Sequence, residues 1–132
     1  MDDEIEAGLA EYLATAERVI EAARTAKGDG AWSASDVVGH LADAARVNFG
    51  RLHANAAGNE PAPDWDQEGM VVSFGYTSIP VATVCNDFRL HRQAFTAAAR
   101  DLLSSGLDRD YLLARLRGTR DHDAEHLKQL AG

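Results

Sequence analysis

Residues 121–127 read Asp-His-Asp-Ala-Glu-His-Leu, with two histidines four positions apart. On an α-helix that spacing sets His122 and His126 on one face, close to one above the other. A divalent metal can take both without distorting the backbone. The flanking carboxylates Asp121 and Asp123 are expected to accept from the outer ring N–H groups and so fix which nitrogen faces the ion. A pair does not complete a site, so a third ligand has to come from elsewhere in the chain.

The candidate is His40, beside the apolar face of an earlier helix and followed by Asp43 and Arg51 on the same stripe. Three neutral imidazoles leave open positions on a tetrahedral or octahedral ion. The absence of sulfur ligands suits Zn, Ni or Fe(II), which ligand type does not separate; Zn or Ni is the favoured expectation. Asp43 joins Asp121 and Asp123 as an outer hydrogen-bond partner, and Arg51 is placed to hold a substrate carboxylate or to form a structural ion pair. Tyr76 and His91 are candidates for the mouth of the site, as acid/base or hydrogen-bonding groups. His53 reads as a surface residue, and Cys85 as core packing, because no base accompanies it.

Four helices must position these residues. Ile5, Leu9, Tyr12, Leu13, Ala16, Val19, Ile20 and Ala23 predict the first over residues 3–26, with acidic residues at its N-terminus and Gly28-Asp29-Gly30 ending it. Ser33 and Asp36 form a capping box for the second, Trp32 packs on Val37 as a staple, and the helix runs to about Ala57. Residues 58–79 break this periodicity and are expected to form an ordered crossover with short helical turns. Pro80 suits the first position of the third helix, which ends at Ser104-Ser105-Gly106. Asp108 caps the fourth, whose inward stripe includes His122, His126 and Leu130.

The connections decide the topology. Short links make helices one and two antiparallel neighbours, and likewise three and four. His40 lies in the second turn of helix two, while His122 and His126 lie near the end of helix four. They come level when helices two and three run parallel. The crossover can span up to ~70 Å, ample against a helix of ~36 Å. The expected fold is therefore all-α, a single-domain four-helix bundle over residues 1–132 with short connections 1-2 and 3-4 and a long crossover between parallel helices 2 and 3. In it His40, His122 and His126 form one metal site.

Composition narrows the function classes. With 13 Lys+Arg against 21 Asp+Glu, the net charge is −8. Neither that charge nor any basic patch suits a nucleic-acid partner. Cys85 is the single cysteine, so no internal disulfide is expected. No apolar run approaches the ~20 residues of a membrane span. The acidic Met-Asp-Asp-Glu start does not read as a signal peptide, so a cytoplasmic location is expected.

Trp32-Ser33, then Val37-Val38-Gly39-His40-Leu41-Ala42-Asp43, Arg51-Leu52, and finally His122-Asp123-x-x-His126-Leu127-x-Gln129-Leu130 together resemble the DinB/YfiT-like superfamily. The likeness covers the second and fourth helices closely, and the first and third in length and spacing. It implies a four-helix bundle holding a divalent metal on His40, His122 and His126. Members with assigned activities include S-transferases that use bacillithiol or mycothiol, and a mycothiol-dependent maleylpyruvate isomerase. Two residues follow Leu130, so the isomerase's additional C-terminal domain is not expected. The Ala-, Arg- and Asp-rich composition favours mycothiol as the thiol. The expected function is thus a metal-dependent enzyme acting on a small molecule, specifically a low-molecular-weight-thiol S-transferase. The alternative is a non-catalytic, metal-stabilised bundle with a binding or structural role. A homodimer is compatible with either.

Overall fold

A computed structural model describes residues 2–26, 32–61 and 63–131. The chain forms α1 (Asp3–Thr25), α2 (Ala34–Ala56), a short α3 (Gln67–Phe74), α4 (Val81–Leu103) and α5 (Arg109–Ala131). One 3₁₀ turn, Tyr76–Ser78, follows α3. No strand occurs among the described residues, and no helix there is long and apolar enough to cross a membrane. The fold is all-helical, with α2 packed on α4 and α1 packed on both α4 and α5 as a bundle.

Local chemistry sets the helix ends. The Asp2 side chain accepts from the Ile5 N–H, and Asp3, Glu4 and Glu6 fill the positive first turn of α1. Ser33 and Asp36 close the capping box of α2 in both directions. Asp66 caps α3 and Asp108 caps α5, the latter accepting from Tyr111 N at 2.9 Å. Gly75 stops α3 at φ 64°, a left-handed conformation that glycine adopts without a Cβ penalty. Pro80 sits one position earlier than expected. It is the N-cap of α4, with an extended ψ of 137°, and its carbonyl accepts from Thr83 and Val84. The Gly28-Asp29-Gly30 stop expected for the first helix lies outside the described residues.

The crossover is ordered and partly helical. Val71-Val72-Ser73-Phe74 has the composition of a strand, but a lone strand would leave its backbone groups unpaired, and capped between Asp66 and Gly75 it closes its own hydrogen bonds as helix. Its C-terminal end holds the start of α2. Ser35 Oγ donates to the Ile79 carbonyl at 2.9 Å, and Thr77 Oγ1 donates to Asp36 at 2.6 Å. At the opposite end, beyond α4, the Asp108 N–H donates to Asn55 Oδ1 at 2.9 Å.

Two apolar clusters make the core. One gathers Val19, Ile20, Val38, Leu41, Phe88 and Leu130; the other gathers Leu9, Tyr12, Leu52, Phe95, Leu112 and Leu116. Along α1, α4 and α5 the change from one cluster to the other falls at Thr15, Arg92 and Asp123, all buried. A polar belt therefore crosses the interior. Arg92 Nη2 donates to Asp123 Oδ1 at 2.7 Å, and its Nη1 donates to Asp123 Oδ2 at 3.0 Å and to the Tyr12 carbonyl at 2.7 Å. Thr15 Oγ1 donates to the same Asp123 Oδ2 at 2.8 Å. The guanidinium also lies 4.1 Å from the Tyr12 ring centre. A buried ion pair needs this degree of hydrogen bonding to offset its desolvation.

Candidate metal centre

The second turn of α2 and the last turns of α5 bring three imidazoles together. His40 Nε2 lies 3.0 Å from His122 Nε2, and His126 Nε2 lies 3.1 Å from the same atom. One ligand atom from each of the three falls within 4.8 Å of the others. His40 is buried, while His122 and His126 are half-buried. Ligand nitrogens about 2.1 Å from an ion are separated by about 3.0 Å at right angles and about 3.4 Å at tetrahedral angles. Each of the two short contacts matches a pair of neighbouring positions around an ion, and three ligands would leave further positions for solvent or a small molecule.

His126 Nδ1 is 2.7 Å from Gln129 Oε1. With that oxygen accepting, Nδ1 carries the proton and Nε2 presents a lone pair. His122 Nε2 would then have to donate to His126 and meet His40 with the same single proton. A neutral imidazole nitrogen either donates or accepts, so one proton cannot serve both contacts well. A cation at the centre would satisfy all three lone pairs. The residues fit a divalent metal.

Electrostatics favour the same state. Burial, followed by the neighbouring His122 and His126, pushes His40 down to about 4. Burial, with His126 next, also lowers His122. His40 and His122 are therefore neutral at pH 7, the form that ligates. Two tryptophans wall the cluster. The Trp32 ring centre is 5.2 Å from that of His40 and 6.4 Å from that of His126, and Trp65 stacks on His40 at 5.8 Å.

The carboxylates are not where the sequence reading puts them. Asp123 faces away from the imidazoles, spent on Arg92 and Thr15. Asp121 is exposed beside Arg120, 3.3 Å away. Asp43 Oδ1 accepts from Tyr76 Oη at 2.6 Å and from Arg46. Its Oδ2 and the Nδ1 of His40, one turn apart on α2, are both buried without a partner among the described residues. Among the described residues, the outer contact comes from Gln129, three residues beyond His126 on the same face.

Tyr76 does not line the mouth. It is buried in the first apolar cluster with its hydroxyl committed to Asp43, and its ring fills the space over Gly39, where a Cβ would come within 2.2 Å of it. Burial and the Asp43 carboxylate both raise its pKa, which removes it from acid/base work near neutrality. His91 pairs with Asp87 at 3.3 Å on α4 and belongs neither to the cluster nor to the adjoining cavity. His53 is exposed against Phe49, and Cys85 is buried with its thiol pushed up by burial.

Arg51 does reach the neighbourhood of the site. A cavity of about 250 Å³ runs from His122 past Trp65 and Tyr12 to Arg51, Arg92 and Arg115. That volume suits a small molecule. Arg92 and Trp65 have no role in the sequence reading. The signal for Arg92 was its place between Phe88 and Phe95 on the apolar stripe of α4, where a cation is costly unless paired. No family model, curated protein or solved structure matches this chain.

Proposed function

We propose that the chain is a DinB-like metalloprotein in which His40, His122 and His126 hold a divalent ion, Zn or Ni before Fe. We propose further that it transfers a low-molecular-weight thiol, such as mycothiol, to a small electrophile. The observation that carries this reading is the meeting of three imidazole nitrogens, within 4.8 Å of one another, at the wall of a cavity of small-molecule size. In this reading the molecule is a four-helix bundle of α1, α2, α4 and α5, with α3 and the 3₁₀ turn as its crossover. A parallel arrangement of α2 and α4 is supported by the ties at both ends, Ser35 to Ile79 and Asn55 to Asp108.

A divalent ion held here supplies a Lewis acid that lowers the pKa of a thiol reaching it. The reaction is a substitution. The thiol loses its proton to water, its sulfur bonds to the electrophilic carbon, and the leaving group departs with the bonding pair. The chain's own part is to keep His40 and His122 neutral, to wall the imidazoles with Trp32 and Trp65, and to admit the reactants beside His122. A closed shell would instead suit the non-catalytic alternative; the cavity at His122 favours turnover.

Metal analysis of the purified protein tests the first step, paired with His40→Ala and His126→Ala. Both tryptophans flank His40, so Ni²⁺ added to stripped protein is expected to quench intrinsic fluorescence saturably, and each variant to lose both the metal and the quench. Unchanged metal content in both variants would overturn the triad. A screen of thiols against electrophiles then tests the transfer.

A further inference from the structure

The wall of the cavity beside His122 inverts the charge of the molecule. The chain carries a net −8, yet among the described residues the cavity is lined by three arginines and by no aspartate or glutamate. Arg92 is neutralised by Asp123. The other two are not comparably matched. Arg51, with a side chain 14% exposed, meets only Asp64, at 3.9 Å, and that carboxylate is fully in solvent. Arg115 has no ion pair among the described residues and rests 5.6 Å from the Tyr111 ring centre. Among the described residues, the Nε of both arginines and the hydroxyl of Tyr12 are buried without a hydrogen-bond partner.

Partly buried cations with unspent donors in a low-dielectric wall are costly unless an anion completes them. Guanidinium forks match carboxylate and phosphate oxygens two at a time. We infer that this cavity binds a small organic oxyanion, a carboxylate or a phosphate ester, with Arg51 and Arg115 as its counter-ions. Arg115 and His122 are seven residues apart on α5, about 10 Å along the axis, so an anion held at Arg115 directs the rest of a small molecule towards the imidazoles. This names the substrate class of the proposed metal site, and it rests on that reading only for what happens at the reacting end. Gly118, between the two on α5, adds no side chain, and a Cβ there would meet nothing within 4 Å. The passage stays open.

The test is an NMR titration of the full chain, chelator-stripped and zinc-treated, with the Trp65 indole as reporter because Trp65 lines the cavity. Succinate, inorganic phosphate and neutral succinamide are the probes. Saturable shifts are expected with succinate, phosphate or both, and not with succinamide; whichever anion binds more tightly identifies the carboxylate or phosphate source. Arg51→Gln and Arg115→Gln should each weaken binding about tenfold or more, whereas His40→Ala should retain it. Succinamide binding as well as succinate, no saturable shift with either anion, or affinity unchanged in both arginine variants would overturn the inference. Zinc uptake without anion binding defeats this inference and leaves the metal reading standing; anion binding without zinc uptake does the reverse.

Discussion

Asp123 and His122 are neighbours in sequence with opposite assignments. Asp123 is buried and clamped to Arg92 and Thr15, while His122 turns towards His40. The clamp fixes the turn of α5 from which the imidazole projects. Removing one member of a buried pair leaves the other charge uncompensated, so Asp123→Ala should cost about 3–5 kcal/mol in urea unfolding. Asp123→Asn, which keeps the shape and one acceptor, should cost less. Gly39 has an equally specific reason to be itself: the Tyr76 ring occupies the volume of a Cβ. Gly39→Ala gains about 1 kcal/mol of helix propensity but must displace the ring and its bond to Asp43. A net loss of about 1–3 kcal/mol by thermal unfolding is expected.

At the scale of elements, α1 is tied across the bundle by exposed arginines. Arg89 donates to both oxygens of Glu17 at 2.8 Å, and Arg100 donates to Glu6. The Arg89 hydrogen bonds hold the Glu17 carboxyl below its usual 4.5. A carboxyl depressed in the folded state contributes stability above its unfolded value and loses it as pH falls through the folded one. Glu17 is half-exposed, so Arg89→Gln should cost no more than about 1 kcal/mol at pH 7. Unfolding curves of variant and parent should converge as the pH is lowered below 4.5 and as salt is added.

The long helices were legible because their apolar stripes repeat at helical spacing and Asp2, Ser33 and Asp108 cap them. The histidine cluster was legible for a related reason, since spacing on α5 and helix register on α2 fix where imidazoles point. The partners of the carboxylates were not. Asp43, Asp121 and Asp123 all stand within a turn of a histidine, and spacing alone does not say that Asp123 is captured by an arginine from α4 or Asp43 by a tyrosine from the crossover. Those choices are made by tertiary packing. The short helical turns of the crossover were expected, but not their bounds: its helix is only eight residues long, too short to show a period.

Across the whole molecule, an acidic exterior surrounds an arginine-lined cavity that opens towards the imidazoles. The proposed ligand set is also divided by the chain itself. His40 precedes the crossover and His122 and His126 follow it, with 82 residues separating His40 from His122. Residues 58–61, just after α2, are exposed, which makes them a ready site for a protease. A single cut there yields two fragments, each with two of the long helices and neither with a full set of ligands. The halves should remain associated after nicking, and zinc should raise the temperature at which they separate, as mass action requires of an ion that binds only the assembled form. Size-exclusion chromatography of nicked protein with and without chelator would measure it. The same division would make the protein a two-part switch, in which adding a metal reunites a molecule that has been cut in half.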